Sequence, residues 1–211
     1  MLYPLRLCSA VALALTLAAC ATSERSENGS GGSTASSGSS AEGSLALCPR
    51  LTVSNAPAAD ANGNVRGYKP TVRVNGVALL VNPAPSSCLS SAFGRRNGRL
   101  HKGLDFQSDP AGPVVAAGPG TVVESGYRDD YGQYVVVDHG SNVYTRYAHL
   151  ASRAGAARVG GIVRMGTRLG VMGNTASYRI PIHLHYEVLV GNYATPAASF
   201  GLEPVDLFAR M

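Results

Sequence analysis

Tryptophan is absent from the 211-residue chain, phenylalanine occurs four times, and only 15% of positions carry a charge. With so few charges and 25 glycines, the composition suits a turn-rich β protein better than a helical one. Basic residues outnumber acidic ones, giving a net charge of +5. No cluster of Lys or Arg is interleaved with aromatics, so no nucleic-acid partner is expected. The excess is compatible with an acidic partner such as an anionic lipid or an acidic cell-wall polymer. No repeat of 20–50 residues is evident, and no helical pattern separates the apolar runs in a βαβ rhythm. The one long apolar stretch, "LCSAVALALTLAA" at residues 7–19, is too short for a typical membrane-spanning helix.

That stretch follows a short basic segment, "MLYPLR", and ends in "LAAC". The pattern predicts a signal peptide over residues 1–19. The boundary resembles a bacterial lipobox, in which Cys20 becomes lipidated and forms the new N-terminus; the alternative is an ordinary signal peptide. Ala21 follows, where Asp would favour retention in the inner membrane of a Gram-negative cell. The expected location is therefore the periplasm, anchored to the outer membrane. Thr22 to Ser44 is a Gly/Ser-rich polar tract without apolar period, expected as a flexible tether within residues 20–47. Cys8 lies in the signal peptide, which leaves Cys48 and Cys88 as an even pair in an oxidising compartment. They are expected to be bonded; free thiols and metal ligands are the alternatives.

Residues 48–89 are expected to form a small β unit, with "TVRVNGVALLVNP" a hairpin turning at Asn75-Gly76. From Ser90 to Met211, short apolar runs alternate with Gly-rich turns. "PVVAAG", "GTVVESG", "QYVVVDHG", "NVYTRYAHL", "GIVRMG", "TRLGVMG" and "HLHYEVLV" read as strands. The predicted fold is all-β: an antiparallel sandwich or partly open barrel, preceded by the hairpin region and the tether. "EPVDLFARM" is expected to close the domain as a short turn or helix.

The chain has five histidines. His183 and His185 stand two apart in "HLHYEVLV", so on a strand they share one face. Two imidazoles on a rigid face suit a metal site, a ligand beside a base, or merely a wet polar face. His101 and Asp105 in "HKGLD" are four apart, which also gives a common face in an extended segment. Two histidines and an aspartate make a common three-ligand zinc set with one open position. His149 ends the strand "VYTRYAHL". His139, before Gly140, reads as turn punctuation. Glu187 shares the strand face of His185 and could orient it; a solvated edge charge or a structural salt bridge is the alternative.

"SAFGRR…HKGLDF", "VVAAGPGTVVESG", "YGQYVVVDHG", "YTRYAHL", "GTRLGVMGNT" and "HLHYEV" together resemble the successive blocks of the lysostaphin-type M23 metallopeptidases, from about Ser90 to Val190. The resemblance implies a small antiparallel β domain with a substrate groove across one sheet, and cleavage of peptide bonds in peptidoglycan. It implies one zinc ion held by His101, Asp105 and His185, with His149 and His183 catalytic. There is no HExxH glutamate, so an imidazole is the expected base. One departure stands in the loop "NTASYRIPIHLH": Ile182 precedes His183, and Tyr178 and Arg179 replace small residues of the family pattern. Gram-negative export points to D-alanyl–diaminopimelate cross-links of stem peptides as the substrate. The rival reading is a non-catalytic activator of cell-wall amidases, or a peptidoglycan-binding protein, on the same fold. A metallo-β-lactamase is disfavoured because "HLHYEV" lacks the Asp-His of that family's HxHxDH.

Overall fold

The computed structural model describes residues 43–194 and 197–211. The signal peptide expected at 1–19, the lipidation expected at Cys20 and most of the tether lie outside the described residues. Among the described residues fifteen strands follow in chain order. The first seven are β1 (Thr71–Val74), β2 (Val77–Leu80), β3 (Cys88–Ser91), β4 (Gly94–Arg96), β5 (Arg99–His101), β6 (Leu104–Gln107) and β7 (Pro113–Val115). The rest are β8 (Gly120–Arg128), β9 (Gly132–Asp138), β10 (Val143–Ala148), β11 (Ser152–Arg153), β12 (Ile162–Val163), β13 (Arg168–Val171), β14 (Leu184–Val190) and β15 (Glu203–Pro204). Among the described residues there is no α-helix, only three single turns of 3-10 helix.

The fold is all-β and open. Eight strands form the main sheet, in the order β12-β8-β9-β10-β14-β6-β3 with β15 also paired to β14. Three smaller antiparallel sheets, β11-β13-β7, β1-β2 and β4-β5, complete it. Asn75 and Gly76 both have positive φ (46° and 83°), the requirement of a two-residue type I′ hairpin turn between β1 and β2.

Register explains how one sheet carries both a core and a polar site. In β14, Leu184, Tyr186 and Val188 point one way and His185, Glu187 and Leu189 the other. Tyr186 is opposite Tyr147 on β10 and Leu104 on β6, whereas His185 is opposite Ala148 and Asp105. The first face, with Phe106, Val135, Val137 and Val143, joins the main hydrophobic cluster. Val114 and Leu169 of the three-stranded sheet and Val72 and Leu79 of the β1–β2 hairpin belong to the same cluster. The opposite face carries a small cluster around Val136, Tyr144, Leu189 and Leu202, and beside it the polar side chains. Every residue of β10 is buried, so both faces of the sheet centre are covered.

Packing reaches back ahead of Cys48. Leu45 is buried in the main cluster, and Leu47 forms a bridge with Leu89. Residues 45–47, expected within the tether, thus belong to the folded chain, because their apolar side chains find core to bury against. Cys48 and Cys88 are disulfide-bonded, with Cα atoms 4.8 Å apart. The bond closes a loop of 40 residues, a constraint worth about 4 kcal/mol in the chain-entropy account.

Candidate metal centre

His101 and Asp105 do not sit on one continuous strand. His101 ends β5, in a small hairpin of its own, and Asp105 lies in β6 of the main sheet. Between them the chain passes so close to β14 that a Cβ on Gly103 would lie 2.2 Å from the Tyr186 carbonyl oxygen. Only glycine permits that approach. The break turns the β5 end over the sheet and aims His101 at Asp105.

Three ligand-type atoms converge there. His101 Nε2 lies 3.0 Å from Asp105 Oδ1 and 3.1 Å from His185 Nδ1, and His185 Nδ1 lies 2.8 Å from Asp105 Oδ1. All three side chains are buried. The outer ring nitrogens fix the tautomers. His101 Nδ1 donates to the Ala92 carbonyl (2.8 Å) and His185 Nε2 donates to Glu187 Oε1 (2.9 Å). When both rings are neutral, two nitrogen lone pairs and a carboxylate oxygen therefore face one another without a proton between them. That arrangement fits a divalent cation, and the N,N,O donor set suits zinc.

The electrostatics agree. Burial opposes charge on Asp105, but the adjoining His101 and His185 hold its carboxyl well below the ordinary range. Burial likewise opposes a proton on His185, yet its bonds to Asp105 and Glu187 push its pKa up to about 9. A ring held between two carboxylates takes up positive charge, and a dication meets the same demand more fully.

Two further imidazoles stand beside this cluster. His149 follows β10 with φ of +63°, uncommon outside glycine, and its N–H donates to the Tyr131 carbonyl (2.8 Å). The turn brings its ring to 4.7 Å from that of His183 and 5.8 Å from that of His185, centroid to centroid. His149 Nδ1 is buried and has no hydrogen-bond partner among the described residues. His183 is fixed to the sheet margin by its N–H bond to Gly173 (2.9 Å). Its Nδ1 donates to the Pro181 carbonyl (2.8 Å), which leaves Nε2 as a lone pair 3.8 Å from Asp105 Oδ1. Burial first, then the neighbouring His183 and His185, pushes the His149 pKa down to about 3, and burial lowers that of His183. Both rings are neutral proton acceptors at neutral pH.

Glu187 is fully buried, which excludes a solvated edge charge. Oε1 accepts from His185 and from the Tyr131 hydroxyl (2.9 Å), while Oε2 pairs with Arg146 Nη1 (2.6 Å). Arg146, itself 2% exposed, also donates to the backbone and hydroxyl oxygens of Ser199 and lies against the Phe200 and Tyr131 rings. On the other side, Arg96 lies 3.4 Å from Asp105 Oδ2 and donates to the Ser91 hydroxyl. Sequence reading singled out none of Tyr131, Arg146, Arg96 or Ser91. A signal existed for Arg146 alone, as the one charge in the run "VYTRYA".

His101, Asp105, His149, His183, His185 and Glu187 all line one open cleft of about 930 Å³. Leu51 and Thr52, and Tyr178, Ile180 and Pro181 of the loop before His183, also line it. The fifth histidine, His139, is elsewhere: it bonds the Pro119 carbonyl and the Thr145 hydroxyl. Residues 99–196 match the sequence pattern of peptidase family M23. These residues are an M23 peptidase domain. The chain is 34% identical over 138 residues to peptidoglycan DD-endopeptidase ShyC of Vibrio cholerae, covering 62% of this chain and 31% of that protein. It is 32% identical over 133 residues to DD-carboxypeptidase/endopeptidase Mpg of Neisseria meningitidis, covering 60% of this chain and 30% of that one. The chain thus spans under a third of the length of either relative. A solved zinc-containing peptidase from Vibrio cholerae is 27% identical with a TM-score of 0.52, over 64% of this chain and 44% of its own. Both the ligand cluster and the two neutral imidazoles fall within the M23 domain.

Proposed function

We propose that the chain is a zinc-dependent endopeptidase that hydrolyses the peptide cross-links of peptidoglycan at D-alanyl–diaminopimelate bonds. The observation that carries this reading is the convergence of His101 Nε2, Asp105 Oδ1 and His185 Nδ1 in an open cleft, with two neutral imidazoles alongside. The named activities of the DD-endopeptidase relatives support it. Zinc held by the three ligands would supply Lewis-acid polarisation of the scissile carbonyl and acidify a water molecule. The chain's own groups do the rest. His183 Nε2, free because Nδ1 is committed to Pro181, takes the proton of the attacking water, and the imidazolium so formed can then donate to the charge that develops on the carbonyl oxygen. His149, which lines the same cleft with its ring 4.7 Å from that of His183, does the complementary task. Glu187 fixes the tautomer of His185 from behind, and Arg146 and Tyr131 fix Glu187.

The test is mass spectrometry of muropeptides from purified sacculi incubated with the exported chain. Cross-linked dimers are expected to give monomers, chelator to stop the reaction and added zinc to restore it. Binding to sacculi with no change in muropeptides, zinc present, would leave the non-catalytic reading standing.

The proposal extends to location. "LAAC" at the end of the apolar run supports lipidation at Cys20 and attachment to the periplasmic side of the outer membrane. Cys20→Ala is expected to move the protein from the membrane to the soluble fraction. Unchanged membrane association with no acyl label on the wild type would refute the anchor.

A further inference from the structure

The β4–β5 hairpin places two guanidinium groups directly opposite each other at the mouth of the cleft. Asn97 and Gly98 form its turn with φ of 49° and 76°, a type I′ geometry that fixes the register. In that register Arg96 faces Arg99 and Gly94 faces His101. Arg99 lies two residues before His101, so both arginines project from the strand face that carries the metal-ligand histidine. Like charges directly opposite in a hairpin are unfavourable. One of the two is compensated: Arg96 is held by Ser91 and Asp105. Arg99 has no ion-pair or hydrogen-bond partner among the described residues, and it is exposed.

The charge balance of the cleft sharpens this. Its charged lining consists of Arg96, Arg99 and Lys102 against Asp105, Asp130 and Glu187. Each carboxylate already has a cation. Asp105 has Arg96, Glu187 has Arg146 (2.6 Å), and Asp130 has Arg128 (2.8 Å). What remains unneutralised among the described residues is positive: Arg99 and Lys102, on one rim, within one turn of the metal ligands in sequence. A planar guanidinium with all its donors free is a fitting receptor for a carboxylate.

We infer that Arg99, assisted by Lys102, is a specificity-determining residue that binds a free carboxylate on the peptide in the cleft. The inference rests on the peptidase reading and narrows its substrate class to stem peptides with unamidated acidic side chains. A γ-linked glutamate leaves its α-carboxylate free, and diaminopimelate carries a second; amidation removes either charge while keeping the shape.

The experiment measures binding and cleavage separately. The zinc-loaded full chain is titrated calorimetrically with the tetrapeptide L-alanyl-γ-D-glutamyl-diaminopimelyl-D-alanine, free or amidated at those two carboxylates. The variants are Arg99→Gln and, as a charge control, Arg73→Gln on the remote β1–β2 hairpin. Cleavage of the matching cross-linked dimers is followed in parallel. Wild type and Arg73→Gln are expected to bind the free form roughly 3- to 10-fold more tightly than the amidated one, the range for a charge-assisted contact in a wet cleft. Arg99→Gln is expected to lose that preference while binding the amidated peptide as wild type does. Equal binding of both forms, no binding of either, or an equal loss on both in Arg99→Gln overturns the inference. Dimer cleavage without preference would overturn it and leave the peptidase reading intact. Carboxylate-dependent binding without cleavage would support it and sink the peptidase reading.

Discussion

Glu187 bears on two groups at once, and the two can be separated. It receives the outer N–H of His185 on Oε1 and the Arg146 guanidinium on Oε2. Burial opposes its charge, but the hydrogen bond from His185, that ring's positive charge and Arg146 lower its pKa. Glu187→Gln keeps the shape, removes the charge that steadies His185, and leaves Arg146 buried beside a neutral amide. Zinc affinity is expected to fall about 10- to 100-fold, with cross-link cleavage recovering at saturating zinc. Competition with a chromophoric chelator measures it. Wild-type zinc affinity in a destabilised variant would mean that Glu187 serves only to neutralise Arg146. At this scale the polar residues of "HLHYEV" were legible, because a period of two puts His183, His185 and Glu187 on one side whatever the strand's neighbours. The pairing of Arg146 and Tyr131 with Glu187 was not, since that shared partner is 41 and 56 residues away along the chain.

Elements were legible where a local signal and an apolar pattern coincide. Asn75-Gly76 lies between alternating apolar runs and reads as a hairpin; Asn97-Gly98 makes the same turn but is flanked by arginines, so no pattern announces it. The break at Gly103 was hidden for a different reason. An even spacing of four is consistent with a single strand, and only the approach of β14 shows why a glycine interrupts it. Turn chemistry also couples elements through His139. Its Nδ1 donates to Pro119 (2.7 Å), leaving Nε2 to accept from the Thr145 hydroxyl (2.8 Å), which is bonded to Tyr147. The Thr145 hydroxyl can turn to accept from a second ring proton, but burial lowers the pKa below its ordinary value. The unfolded chain then takes the proton more readily than the folded one. The contribution of neutral His139 is therefore present above pH ~6.5 and is lost as pH falls through that value towards the folded pKa. Because burial shifts His149 and His183 in the same direction, the informative quantity is a difference. The unfolding free energy of wild type minus that of His139→Gln, from urea titrations, is expected to shrink between pH 7.5 and 5. A constant difference would remove His139 from the account.

Among the described residues the main sheet is used on both faces, its core on the side of Tyr147 and Tyr186 and its polar cluster on the side of His185. Alternation within each strand made the class legible. Strand order was not, because β14 lies between β10 and β6, and the pairing His185–Asp105 spans 80 residues that no local period encodes. That order unites the donors His101, Asp105 and His185 and leaves His183 and His149 beside them. The central claim is a division of labour between holding a metal and moving a proton. Zinc content and dimeric-muropeptide cleavage, measured together on His185→Ala and His183→Ala, test it most directly. The account predicts that His185→Ala loses zinc and activity together. His183→Ala should retain near-stoichiometric zinc with cleavage reduced about 10²- to 10⁴-fold. Loss of zinc from His183→Ala to the extent seen in His185→Ala, or cleavage by it at the wild-type rate, would contradict the account.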